Sequence, residues 1–158
     1  MYVTKVLSSV PRVVRLAAFL KKILMWMVEG SYMDDNFDNL KVMVIDDSKT
    51  IRRTAETLLK KVGCEVITAT DGFDALAKIA DTHPNIIFVD IMMPRLDGYQ
   101  TCALIKNNSK FKDTPVIMLS SKDGLFDKAK GRIVGSDQYL TKPFSKDELL
   151  GAIRSFVK

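Results

Sequence analysis

Five short runs of apolar residues, spaced by segments of helical length, limit this chain to few folds. They lie at 41–45, 64–69, 85–89, 115–119 and about 137–141. A strand with one wet face alternates polar and apolar residues. The unbroken Ile86-Ile-Phe-Val89 instead calls for cover on both faces, which a parallel sheet between two layers of helices provides. The intervening segments carry the helical period. Ile51, Ala55, Leu58, Leu59 and Val62 form one stripe, and Leu149, Leu150, Ile153, Phe156 and Val157 form another; such stripes are core faces. Ser145 with Glu148 three residues later reads as a capping-box start for the last helix, and Gly63 as a stop for the helix after the first strand. The expectation is an α/β fold of five βα units around a doubly wound, five-stranded parallel sheet.

The residues at the carboxyl end of each run bear on function more directly than the run itself. Val42-Met-Val-Ile45 is succeeded by Asp46 and Asp47, Asn85-Ile-Ile-Phe-Val89 by Asp90, Pro115-Val-Ile-Met-Leu119 by Ser120, and Gln138-Tyr-Leu-Thr141 by Lys142-Pro143. An isolated strand-terminal Asp is usually a helix cap or a solvated loop carboxylate. Ligands of open α/β sheets, however, bind outside the carboxyl ends of the strands, so four separate segments here deliver one matching set of groups to one edge. Three acids brought together repel one another unless a cation sits among them, which reads as a Mg²⁺ site built around a nucleophilic aspartate. The chemistry that fits is phosphoryl transfer onto Asp90.

Charge excludes other classes. The chain has a formal net charge of +5, but Lys5, Arg12, Arg15, Lys21 and Lys22 against Glu29 place +4 of it in residues 1–32. The remainder is nearly neutral and shows no reading helix, so no nucleic-acid partner is expected. Cys64 and Cys102 are the only two cysteines and His83 the one histidine. Their spacing fits no metal site, and the cysteines read as reduced packing residues. His83, before Pro84, reads as a solvated loop residue.

From residue 41 to 158 the chain resembles the receiver domain of bacterial two-component response regulators, of the single-domain CheY-like kind. Val-Ile-Asp-Asp-Ser at 44–48, Asp-Ile-Met-Met-Pro-Arg-Leu-Asp-Gly at 90–98, Leu-Ser-Ser at 119–121 and Tyr-Leu-Thr-Lys-Pro-Phe at 139–144 carry the resemblance. Lys49-Thr-Ile-Arg-Arg53 and Asp71-Gly-Phe-Asp-Ala75 are most similar to the regulators of type IV pilus twitching motility. The resemblance implies a flavodoxin-like strand order 2-1-3-4-5 and a cytoplasmic, monomeric switch. It implies Asp90 as phosphoacceptor from a CheA-like histidine kinase, and Mg²⁺ held by Asp46, Asp47, Asp90 and the backbone carbonyl of Met92. Lys142, before a cis proline, and Ser120 would contact the phosphoryl group. Tyr139 would move inward with Ser120, changing a surface at about 123–144 that a target protein reads. Ser136 stands where the family usually has alanine. Met92 and Lys122 flank the route of a hydrolytic water, and neither is suited to orient it, so a long-lived phosphoryl group is expected. Two other readings carry less weight. A phosphorylation-independent docking module would not need the intact acid set, and a haloacid-dehalogenase-like phosphatase would need an aspartate where Met92 stands.

Residues 1–32 conform to none of this. They are basic and apolar, with Arg12 and Arg15 interrupting any span, so neither a transmembrane helix nor a secretory signal is expected. The cations also straddle a helical wheel, giving an imperfect surface-binding face. Glu29-Gly30 requires a purine-rich codon pair shortly before the codon of Met33, which has the composition and spacing of a ribosome-binding site. Translation is therefore expected to start at Met33, with 33–40 as a polar leader and 41–158 as the domain.

Overall fold

The computed structural model describes residues 11–31, 36–121 and 125–157. Helix α1, Arg12–Ser31, belongs to one compact unit and everything from Asn36 onward to a second. The described side chains of α1 are exposed, and no described helix is long and apolar enough to cross a membrane. Met33, the expected start, lies outside the described residues.

The second unit alternates strand and helix: β1 Lys41–Ile45, α2 Lys49–Lys61, β2 Glu65–Ala69, α3 Gly72–Thr82, β3 Ile86–Asp90, α4 Gly98–Asn107, β4 Val116–Ser120, α5 Leu125–Ile133, β5 Gln138–Thr141 and α6 Lys146–Phe156. All strand pairs are parallel, in the order β2-β1-β3-β4-β5. The continuity of the apolar runs is explained by burial on both faces. Met43, Ile45, Ile87, Val89 and Met118 pack with Ala75 and Ile79 of α3 and Cys102 and Ile105 of α4. Val42, Val44, Ile86, Phe88 and Leu119 pack with Ala55 and Leu59 of α2 and Leu149, Leu150 and Ile153 of α6. Each fully buried Leu, Ile or Phe contributes about 1.5–3 kcal/mol relative to exposure.

The expected punctuation is present. Ser145 Oγ accepts the Glu148 N–H at 3.1 Å to start α6, and Gly63, at φ +93°, follows the Val62 cap of α2 in a conformation that disfavours any side chain. One expectation is refined. Phe37 and Leu40, in the leader read as polar, pack on the α2/α6 face of the core, and the Phe37 N–H donates to Val62 O at 2.8 Å. His83, read as a solvated loop residue, is exposed; it ends α3 as a left-handed cap, φ 48°, with its ring centroid 5.6 Å from that of Phe111. Cys64 and Cys102 are free thiols in the core; burial pushes each up to about 11 and keeps them protonated.

Candidate functional site

Register turns separate strand ends into a site. Ile45 is opposite Val89, so Asp46 emerges from β1 level with Asp90 at the end of β3. Asp90 is opposite Leu119, which leaves Ser120 one step further along β4. Ser120 in turn pairs with Thr141, and the next residue, Lys142, donates its N–H to Ser120 O at 2.6 Å. The Lys142–Pro143 bond is cis.

The side chains meet at this edge. One carboxylate oxygen from each of Asp46, Asp47 and Asp90 lies within 4.8 Å of the others. Asp46 is 0% exposed and Asp90 3%, whereas Asp47 is open to solvent. The Lys142 ammonium is 3.0 Å from Asp90 Oδ1 and 3.1 Å from Asp46 Oδ2. Asp46 Oδ1 accepts the Ser48 N–H at 2.8 Å, and Asp90 Oδ1 the Met92 N–H at 3.4 Å. Burial pushes the Asp90 carboxyl up to about 6; the Lys142 hydrogen bond opposes this and the Asp46 charge adds to it. Burial pulls Lys142 down, but hydrogen bonds to Asp90 and Asp46 and their charges more than offset it, so the ammonium is held above its ordinary value.

Three carboxylates answered by one ammonium leave an excess of negative charge at a solvent-facing edge. The donors are hard oxygens, one acid is exposed and two are buried, and together they fit a divalent ion such as Mg²⁺, which prefers oxygen ligands and retains water. Met92, 72% exposed, stands in the loop after Asp90. Ser120 is 4% exposed at the same strand edge. Tyr139 is not among these groups: it lies on β5 opposite Met118, half-buried, with the Lys128 ammonium 5.6 Å from its ring centroid. Ser136 follows the Gly135 turn after α5, close to Gly131. Lys122 lies outside the described residues.

The structure adds supports that the motifs did not announce. Arg52 of α2 donates to the Asp46 carbonyl at 2.6 Å and fixes the turn carrying the acid pair. Asp97 and Gln100 form a reciprocal capping box that starts α4, a pattern legible in the sequence as Asp97-x-x-Gln100. Arg95, at φ 67°, pairs with Asp71 at 2.5 Å and lies over the Phe73 ring at 5.4 Å, tying the loop after β3 to the start of α3.

An open α/β sheet with three acids and a lysine converging at its carboxyl edge defines a phosphoryl-responsive switch more readily than a hydrolase. Residues 42–154 match the model of the response regulator receiver domain, and the chain belongs to that family. Membership makes it a phosphorelay switch protein rather than a classical enzyme, served by a histidine kinase and read by downstream targets. Over 125 residues it is 90% identical to Protein PilG of Pseudomonas aeruginosa, covering 79% of this chain and 93% of that protein. The chemotaxis protein CheY4 of Vibrio cholerae has the same fold, with a TM-score of 0.73 and 34% identity over 75% of this chain and 99% of that one. The probable transcriptional regulator ycf27 of Cyanophora paradoxa is 43% identical over 118 residues, 75% of this chain but only 48% of its own length.

Proposed function

We propose that Asp90 is the phosphoacceptor of this response regulator and that the pocket around it is a Mg²⁺-dependent phosphotransfer site. The observation that carries this reading is the Lys142 ammonium within 3.1 Å of both Asp90 and Asp46, in a cluster of three carboxylates. An oxygen of Asp90 attacks the phosphorus of a phosphohistidine on a CheA-like kinase. The O–P bond forms, the P–N bond breaks, and the imidazole leaves on the kinase. Lys142 transfers part of its pairing from Asp90 to a phosphoryl oxygen as charge moves outward, and the Ser120 hydroxyl donates to another. Asp46, Asp47, Asp90 and the Met92 carbonyl would hold Mg²⁺, which supplies positive charge against the acids and the phosphoryl oxygens.

Output follows from the covalent charge. Ser120 moving toward it leaves space for Tyr139, and the 123–144 surface changes its affinity for a target. The protein acts as a cytoplasmic monomer. Autodephosphorylation is slow, because the exposed thioether of Met92 cannot orient a water. The 90% identity to Protein PilG, with the resemblance to twitching-motility regulators, supports control of type IV pili.

Incubation with a small phosphodonor and Mg²⁺, read by intact mass, tests the chemistry. Wild type should gain one phosphoryl group and Asp90→Asn none; undiminished labelling of the variant would remove Asp90 from the role. Twitching zones of a deletion strain, restored by wild type and not by Asp90→Asn, test the pathway.

A further inference from the structure

Helix α5 is held weakly where its side chains are described. From Asp127 to Ile133 only Gly131 is buried, while Ala129, Lys130, Arg132 and Ile133 face solvent, Ile133 at 85%. Elements with few buried apolar contacts open at low cost. Besides the Lys128 contact with the Tyr139 ring, a core residue of α4 holds this part of the helix. Tyr99, 6% exposed in the first turn of α4, places its hydroxyl 3.3 Å from both the backbone oxygen and Oδ1 of Asp127, and its ring lies 4.5 Å below the Lys130 ammonium. Burial and the Asp127 charge push the phenol up to about 12, so the hydroxyl stays a donor.

The other end of Tyr99's helix turn rests on the phosphoacceptor strand. A β-carbon at Gly98 would overlap the Asp90 carbonyl oxygen, and the Gly98 N–H donates to Ile91 O at 2.9 Å. The backbone of Asp90–Ile91 therefore cannot shift without moving Gly98 and its neighbour. A cleft lined by Asp47, Met92, Pro94, Tyr99, Asp127 and Lys130 separates the acids from α5, with a volume of about 580 Å³. Tyr99 is a buried residue of its lining, and its hydroxyl reaches Asp127 on the α5 side.

We infer that Tyr99 is a positioning residue that couples the backbone at Asp90 to α5 through its paired hold on Asp127 and Lys130. The inference rests on the proposed phosphoacceptor role of Asp90. When the Asp90–Ile91 backbone adjusts to a phosphoryl group, the first turn of α4 follows, and the phenol carries the amino-terminal half of α5 with it. Asp127 is thereby withdrawn from pairing with cations of α5 in one state and released in the other, so the charge presented by Lys130 and Arg132 depends on occupancy of Asp90.

Beryllium fluoride with Mg²⁺, a non-covalent phosphoryl mimic, provides a stable on-state for hydrogen exchange across residues 125–133. In wild type the mimic should change α5 exchange by about tenfold, the scale of about 1.4 kcal/mol in local opening. Tyr99→Phe should bind the mimic within about threefold of wild type yet lose most of that response, and Asp127→Ala, at the surface end of the contact, should do the same without disturbing the core. Combined, the two substitutions should act no more strongly than either alone. A full α5 response in both variants, with mimic binding intact, would overturn the coupling while leaving Asp90 as the acceptor. Absence of mimic binding in wild type would instead remove the phosphoacceptor reading and the inference with it. A change in melting temperature without a change in the α5 response would reduce Tyr99 to a packing residue and also overturn the proposal.

Discussion

Asp90 is a carboxylate kept where carboxylates are costly. Its pKa stands at about 6, raised chiefly by burial from an ordinary 3.8. An acid that binds its proton more tightly in the folded state adds stability below its unfolded pKa, and that contribution is lost as pH rises through the folded value. Metal-free protein should therefore lose stability from about pH 4 to about pH 7, by up to about 3 kcal/mol, since each tenfold change in proton affinity is worth about 1.36 kcal/mol. Asp90→Asn abolishes this titration while preserving shape and one acceptor oxygen. Denaturant unfolding in chelator should find the variant close to wild type near pH 4 and more stable than it at pH 8. A stability difference that did not change with pH would show that Asp90 does not titrate in this range.

The loop from Ile91 to Asp97 joins the strand that ends at Asp90 to the helix that begins at Gly98. Its far end is fixed by Gly98 lying against Asp90 O, so Gly98→Ala should cost about 1–3 kcal/mol through overpacking and weaken Mg²⁺ binding as the loop shifts. Calorimetric titration with Mg²⁺ reads the second effect, and unchanged affinity would show that the loop backbone takes no part. At the near end, Met92→Asn should place an amide beside the aspartyl phosphate and speed loss of label; slower or equal decay would refute the account of a long-lived phosphoryl group. How much of this was legible in the sequence depended on chain distance. Strands were readable because burial on both faces leaves an unbroken apolar run, though β2, β3 and β4 each start one residue later than the runs did. The capping residue Ser145 was legible for the same local reason. The Tyr99–Asp127 and Arg95–Asp71 pairs, 28 and 24 residues apart, leave no local trace, because only tertiary packing makes them neighbours. Phe37 and Leu40 were missed because a polar setting hid two apolar side chains that close the edge of the core.

At the scale of the whole domain, strand order does what no single element can. Periodicity indicates five covered parallel strands, but only the order β2-β1-β3-β4-β5 puts the acids after β1 beside Asp90 and brings Lys142 from 52 residues away to that carboxylate. The fold is thus thermodynamically linked to whatever balances the acid cluster. A ligand bound only by the folded state stabilises it by RT ln(1 + [L]/Kd), about 2.7 kcal/mol at a hundredfold excess over Kd. Mg²⁺ should therefore raise the melting temperature at pH 8, where Asp90 is ionised. The gain should shrink at pH 5, because below its pKa of about 6 the Asp90 proton competes with the metal. Asp47→Ala changes an exposed ligand and no core residue, so it should require more Mg²⁺ for the same rise without lowering the melting temperature in chelator. Thermal unfolding across a Mg²⁺ series at the two pH values decides the matter. No rise at pH 8 would remove the metal site, equal rises at both pH values would remove Asp90 from it, and an Asp47→Ala curve that overlays wild type would remove Asp47.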